Sequence, residues 1–398
     1  MRIAQINAVY EYSSTGRTTK EMHMALKTIG YESIVFNSIV DNPKENVHQI
    51  GTKFDHKFHA LLSRLFGLQG YFSYGATRKL LKQLDDYTPD IIVLRNLHAN
   101  YINLSLLLKY IIRKKIPTIL VLHDFWFMTG HCCYYTEDSC TNWQTECGKC
   151  PILHKYNRSL FFDNSRKIFN DKRNLFSQIK DLAVVGVSDW TTKEARKSIL
   201  KEAKIICRIY NWIDLDVFKT TDSKQIRTEL KISEEDFVIL GVAQIWVEQK
   251  GLSLFVSVAN HFPEYKIVLV GFMPQGNKLP NNVISVGTIN RSEQLAIYYS
   301  MANVFFNPSI QETFGKVSAE ALACGTPIIA NNATANPEIV GDCGCVINNN
   351  NLQEIYLAIE NMRNKNISSD KCVKRAQTLF NKELNLKEYY KLFDELMQ

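Results

Sequence analysis

No apolar run in this chain approaches the roughly 18–20 residues that a membrane-spanning helix needs. The opening Met1-Arg2-Ile3-Ala4-Gln5-Ile6 also lacks the long apolar stretch of a secretory leader. These two absences leave a cytoplasmic enzyme or binding protein as the expectation. No repeat of fixed period and no extended low-complexity tract is present, which excludes solenoids and collagen-like chains. A disulfide framework is lacking as well. Of ten cysteines, Cys207, Cys324, Cys343, Cys345 and Cys372 are scattered without pattern, and without a leader they should stay reduced. The charge excess is small, +7 over 398 residues, and no nucleic-acid-binding motif accompanies it, so nucleic acid is not an expected partner.

What is present is the composition of a soluble globular chain, 45% hydrophobic and 22% charged, long enough for two domains of roughly 100–200 residues. Arg2 to Val9 reads as an apolar strand, followed by a polar loop, Tyr12-Ser-Ser-Thr-Gly-Arg17, and a helical pattern from Thr18 to about Ile29. Further buried-strand runs fall at Ser33–Phe36, Asp90–Leu94, Thr118–His123 and Ala183–Ser188, with helical stretches between them. After a charged interval reaching Glu235, a second alternation has strands at Phe237–Gly241, Lys266–Gly271, Val283–Val286, Val304–Asn307 and Pro327–Ala330. Short apolar runs alternating with helices predict parallel sheets covered on both faces. The expectation is an α/β chain of two Rossmann-like, doubly wound domains, residues 1–205 and 206–380, whose strand carboxyl ends face across a cleft. Residues 381–398 read as a terminal helix packing back on the body.

Two local features stand apart from this alternation. Cys132, Cys133, Cys140, Cys147 and Cys150 lie within the insert at 131–151, and Cys147-Gly-Lys-Cys150 has the spacing in which two thiolates reach one tetrahedral ion. Cys140 with either Cys132 or Cys133 would complete a structural zinc site; reduced packing cysteines or a local disulfide are the alternatives. Between Lys53 and Lys82, six basic residues stand against one acid and are interleaved with aromatics. That stretch is either an amphipathic helix with a solvated basic face or a surface for anionic lipid.

The segment Pro308-Ser-Ile-Gln-Glu312-Thr-Phe-Gly315-Lys316-Val-Ser-Ala-Glu320-Ala-Leu-Ala-Cys-Gly325-Thr-Pro327 carries the clearest chemistry. It places Glu312 in a loop after a strand, Gly315 at a close backbone approach, and a helix ending at Gly325, whose first-turn amides suit a diphosphate. Glu320 follows Glu312 by eight residues, about two turns further along, so the two carboxylates can hold separate polar parts of one extended ligand. Glu312 could instead be a surface acid, and Glu320 could be buried and paired with a backbone group.

This segment resembles the E-x7-E signature of retaining GT-B glycosyltransferases of the glycosyltransferase family 4 type. The resemblance extends along the chain through Gly16-Arg17, His123-Asp124, Val187-Ser188, Asn211-Trp-Ile-Asp214 and Lys250-Gly251. Trp126, Gly130-His131-Cys132, Cys140, Trp143 and Cys147 to Pro151 are similar to a cysteine-containing subgroup linked with bacterial polysaccharide synthesis. The resemblance implies a nucleotide diphosphate sugar donor, with Glu312 on the sugar hydroxyls, Glu320 on the ribose and Lys250 on the diphosphate. It implies that Phe314, Gly315 and Lys316 supply backbone donors or charge there, that His123 meets the sugar, and that Gly16 admits the phosphates. Within the cysteine insert it favours Cys132 as the fourth metal ligand. The arginine that often precedes the lysine is missing from Ala243-Gln-Ile-Trp-Val-Glu-Gln-Lys250, with Arg17 and Lys316 as substitutes.

No Asp-x-Asp pair lies in a strand-end loop, so no catalytic metal is expected; Asp214-Leu-Asp216 falls between the domains. The acceptor implied is a glycan or a lipid-linked sugar, reached by peripheral contact at the inner face of the cell membrane. The rival readings are a GT-B-like phosphorylase or sugar-nucleotide epimerase, and a zinc-stabilised scaffold without turnover.

Overall fold

The computed structural model describes residues 1–39, 44–136, 138–348, 351–365 and 367–398. They divide into two compact units, Met1–Ile209 with Leu386–Gln398, and Tyr210–Asn385. Among the described residues each unit is built on one wholly parallel sheet.

The first sheet has seven strands: β1 (Arg2–Asn7), β2 (Glu32–Asn37), β3 (Val47–Gln49), β4 (Ile91–Leu94), β5 (Thr118–Leu122), β6 (Leu182–Gly186) and β7 (Ile205–Arg208), in the order β3-β2-β1-β4-β5-β6-β7. The second has six: β8 (Val238–Ile245), β9 (Lys266–Phe272), β10 (Val283–Gly287), β11 (Val304–Asn307), β12 (Ile328–Asn331) and β13 (Gly344–Ile347), in the order β10-β9-β8-β11-β12-β13. Both orders reverse direction beside the first strand of the unit, which is the doubly wound arrangement.

Local sequence explains the central strands. β4, Ile-Ile-Val-Leu, and β5, Thr-Ile-Leu-Val-Leu, are buried at every position, as β-branched residues covered on both faces should be. The register pairs Ile3 with Ile91 on one side of β1 and with Ser33 on the other. Each buried Ile, Val or Leu contributes about 1.5–3 kcal/mol over exposure, so the core of each unit lies at its sheet centre. After β6, Ser188 caps the helix Asp189–Ala195 by accepting Thr191 N–H at 3.0 Å. A Cβ on Gly186 would stand 2.1 Å from Thr192 Oγ1, so glycine lets that helix lie on the strand.

The division falls after Ile209, not between 205 and 206, because β7 pairs with β6 and completes the first sheet. The terminal helix spans Lys382–Met397; its residues from Leu386 onward group with the first unit, where Tyr389 is buried and the Tyr390 ring lies 6.5 Å from that of Tyr31.

Candidate functional site

In the second unit β11 ends at Asn307, and the chain passes through a loop into the helix Lys316–Ala323. Gly315 precedes that helix with φ +84, a left-handed backbone that favours glycine. The other end is closed by Gly325, φ +85, with Gly325 N–H on Leu322 O and Thr326 N–H on Ala321 O, both at 2.9 Å. The helix is thus fixed at both ends; Ser318 N–H already bonds Gly315 O at 3.0 Å, and the amides ahead of it have no acceptor within the helix.

Lys250 ends a short turn, Glu248–Lys250, and Gly251 follows with φ +75. A Cβ on Gly251 would stand 2.4 Å from Pro308 Cγ, so its absence lets the turn press against the start of the Glu312 loop. Lys250 Nζ then lies 3.6 Å from Glu312 Oε1. The two side chains are 45% and 19% exposed, so water screens the pair and it is worth at most about 1 kcal/mol. A pair this weak can be re-partnered by a ligand at little cost. The backbone beneath it is firm: Glu312 N–H donates to Thr334 Oγ1 at 2.9 Å, and Glu312 O accepts Ala335 N–H at 3.1 Å.

Glu320 differs. It is 4% exposed, and the Tyr299 hydroxyl donates to its Oε2 at 3.1 Å. Burial, and then the Glu320 charge, push the Tyr299 phenol well above its ordinary pKa. Glu320 is thus a buried carboxylate with a phenol among its partners. The Phe314 ring is buried edge-on against Phe380 at 5.3 Å, which leaves its backbone as the part that can meet a ligand. Lys316 is partly exposed at the first helical position.

Asn336 was missed. It is 1% exposed, its Nδ2 donates to Ser309 O at 2.8 Å, and its Oδ1 is buried without a hydrogen-bond partner, 3.6 Å from where a Cβ on Gly315 would be. An unmet buried acceptor costs about 1–3 kcal/mol, so one retained beside the helix start suits a donor on a ligand. The signal was available: Asn331 to Pro337 is a polar stretch after a predicted strand, where ligands of such sheets bind.

In the first unit Asn7, Arg95 and His123 sit at the carboxyl ends of β1, β4 and β5. Arg95, 1% exposed, donates through Nη1 to His123 Nε2 at 2.9 Å, while its own Nε is buried without a partner. A guanidinium only donates, so the imidazole accepts at Nε2 and carries its proton on Nδ1. The His123-Asp124 motif thus divides, because Asp124 Oδ2 bonds His98 Nε2 at 2.7 Å and its Oδ1 takes Trp126 N–H at 2.8 Å. Burial opposes charge on His98, yet Asp124 and Cys133 outweigh it and raise its pKa well above the ordinary value. Arg95 and His98 follow a predicted strand and were legible by the same strand-end rule. Gly16 and Arg17 are not in a loop: the helix starts at Ser13, and a Cβ on Gly16 would lie 3.1 Å from Glu11 N. Gly16 therefore seats the preceding loop on the helix.

The cysteine insert contains no disulfide. Cys132, Cys140, Cys147 and Cys150 line one small cavity with His131 and Trp143. Gly130 N–H donates to Cys147 Sγ at 3.2 Å and Ile152 N–H to Cys150. Cys133 is turned away and belongs with His98 and Asp124, the one group among the described residues with three ligand atoms within 4.8 Å of one another. The four cavity sulfurs are not gathered that closely. The buried Lys172 ammonium stands 3.5 Å above the Trp126 ring and donates to Trp126 O and Thr129 O, pinning the chain that enters the insert.

Two doubly wound parallel sheets of this kind define a GT-B protein, and solved GT-B structures superpose over the whole chain. Residues 222–379 match the family model described as glycosyl transferases group 1. A glycosyl transferase assigned to colanic acid biosynthesis in Escherichia coli K12 is 22% identical over 273 residues, 64% of this chain and 63% of that protein. The D-inositol 3-phosphate glycosyltransferase of Mycobacteroides abscessus is 30% identical over 148 residues, 34% of this chain and 33% of that protein. The matches thus span less than two thirds of these curated relatives. HepE of Anabaena in complex with UDP superposes with a TM-score of 0.69 at 16% identity, covering 99% of this chain and 100% of that one, a likeness of fold.

Proposed function

We propose that the chain is a retaining hexosyltransferase that moves a sugar from a nucleotide diphosphate sugar to an acceptor hydroxyl in bacterial capsule, O-antigen or exopolysaccharide synthesis. The observation that carries this reading is the Lys250 and Glu312 pair, 3.6 Å apart, with Glu312 on the loop that leads into the glycine-preceded helix start. A diphosphate there would draw Lys250 away from Glu312, take the first-turn amides of Gly315 and Lys316, and free Glu312 for the sugar hydroxyls. Asn336 Oδ1 would accept a hydroxyl of the donor, and Glu320 would serve the ribose. The UDP-glucose complex of HepE supports a donor of this class.

In the reaction, the bond from the anomeric carbon to the diphosphate oxygen breaks as the acceptor oxygen bonds on the same face. The acceptor proton passes to the leaving phosphate. Lys250 and the helix amides stabilise the charge that grows on that phosphate. Asp214 is held by Lys382 at 3.0 Å and is not assigned to a metal. The acceptor is a glycan or a lipid-linked sugar at the inner face of the membrane. In the insert, the four-cysteine cavity is assigned to a structural zinc, which would draw the sulfurs in to about 2.3 Å from the ion.

A thermal-shift screen against UDP-, GDP- and ADP-sugars tests the reading, since donor binding stabilises the fold with the logarithm of its concentration over Kd. One donor class should raise Tm, with Glu312→Ala keeping that shift and losing transfer. No shift with any donor would overturn the assignment; turnover that consumes no acceptor would favour epimerisation, and turnover that requires inorganic phosphate would favour phosphorolysis.

A further inference from the structure

The helix Lys53–Phe66 is turned inside out. Its buried side chains are His59 and Ser63, whereas Phe54 is 75% exposed, Phe58 52% and Leu61 53%. This is not a loosely set helix. Thr52 and Asp55 cap its start reciprocally, Gly67 closes it with φ +62, and the inward His59 is tied to Ser73 Oγ at 2.7 Å and to Gly70 N–H at 3.3 Å. An amphipathic helix in a water-facing position shows the opposite pattern.

A second segment, distant in sequence, extends the same face. Leu160 N–H donates to Arg64 O at 2.7 Å, Asn164 Nδ2 to Phe66 O at 2.6 Å, and the Phe66 and Phe162 rings stack with centroids 6.0 Å apart. Phe161 is left 71% exposed and Phe162 52%. A Cβ on Gly67 would stand 2.3 Å from Phe162 O, so glycine permits the two segments to meet. The exposed cations Lys53, Lys57, Arg64 and Arg158 lie on these two segments. The nearby acids are engaged: Asp55 in the helix cap, Asp163 with the amides of Cys150 and Ser165.

We propose that this aromatic and basic face docks on an anionic lipid bilayer, the rings entering the interface and the cations meeting the headgroups. A second copy of the chain fits less well, because a two-fold contact through this face would set its cations against each other. The sequence stretch Lys53–Lys82 is thereby divided. In the adjacent helix Tyr74–Tyr87, Ala76, Leu80 and Leu84 are buried and Lys79 and Lys82 exposed, an ordinary solvated pattern with no part in the docking.

The test is flotation of the full chain with vesicles of equal parts phosphatidylglycerol and phosphatidylcholine, at low salt and without any sugar nucleotide. It therefore succeeds or fails independently of the glycosyltransferase reading. The wild type should float with these vesicles and not with phosphatidylcholine alone. Phe161→Ser with Phe162→Ser, and separately Lys57→Glu with Arg64→Glu, should each weaken binding about tenfold or more, at about one order of magnitude for a pair of leaflet-facing charges. Lys79→Glu with Lys82→Glu should bind as the wild type does. Thermal unfolding of each variant checks that it is folded. A wild type that stays with the soluble fraction would overturn the proposal, as would equal losses in the Lys79 and Lys82 variant. A concentration-dependent dimer abolished by the phenylalanine substitutions, with no flotation, would make the face a protein interface instead.

Discussion

Lys250 Nζ and Glu312 Oε1 stand 3.6 Å apart because Gly251 lets one turn rest on Pro308 at the start of the next loop. The glycine is what joins the two residues. Gly251→Ala would meet Pro308 Cγ at 2.4 Å and hold an unfavourable φ of +75, costing about 1–3 kcal/mol. Thermal unfolding should show that loss, and nucleotide affinity should fall with it. A variant as stable and as tight as wild type would mean that the two loops are positioned otherwise.

Glu320 separates a structural from a binding role. Glu320→Ala leaves the buried Tyr299 hydroxyl without its acceptor, a loss of about 1–3 kcal/mol in unfolding free energy. If the carboxylate also serves the ribose, nucleoside diphosphate binding should weaken roughly tenfold, a charged hydrogen bond being worth about 1.5–3 kcal/mol. Lower stability with unchanged affinity would assign Glu320 to the fold alone.

Two buried histidines set an acid limit on stability. Burial lowers His23 and His59 from 6.5 to about 4. Their folded pKa is depressed, so the stability they contribute is whole above about pH 6.5 and is lost as pH falls toward 4. The slope in that window should be up to about 1.4 kcal/mol per pH unit for each. Unfolding followed between these limits should show it, and His59→Asn should flatten part of it. A flat profile would mean that the two rings are accessible to protons in the folded state.

The cysteine cavity gives a compositional test. Purified under reducing conditions, the protein should carry about one zinc per chain, and chelation should lower its Tm. Cys147→Ser should abolish zinc binding, and Cys133→Ser should keep it, since Cys133 faces His98 and Asp124. Zinc-free protein indifferent to chelation would leave the four thiols as packing.

The strands that sequence revealed were mostly the central ones, such as β4 and β5, where both faces are buried and the apolar run is unbroken, with β10 the one edge strand among them. β3, β7 and β13 escaped because they are short strands at the sheet edges, with side chains half in water. Glu312, Lys250 and Gly315 were legible as motif residues, but their mutual distance was not, since it depends on a glycine contact with Pro308 that no spacing encodes. Arg95, His98 and Asn336 follow predicted strands and so were candidates by position, but only the fold shows that they lie beside His123, Asp124 and Gly315. The aromatics from Phe54 to Phe66 read equally as core or as surface, because helical periodicity reports that one side is apolar and not which way it faces.

Titration calorimetry of UDP, GDP and ADP with the wild type and with Lys250→Ala tests the central claim most directly. The account predicts that one nucleoside diphosphate binds the wild type and that the variant binds it about tenfold more weakly or worse, the loss of one charge-assisted contact. Equal affinity in the two proteins, or no binding of any of the three by the wild type, would contradict a diphosphate site at Lys250.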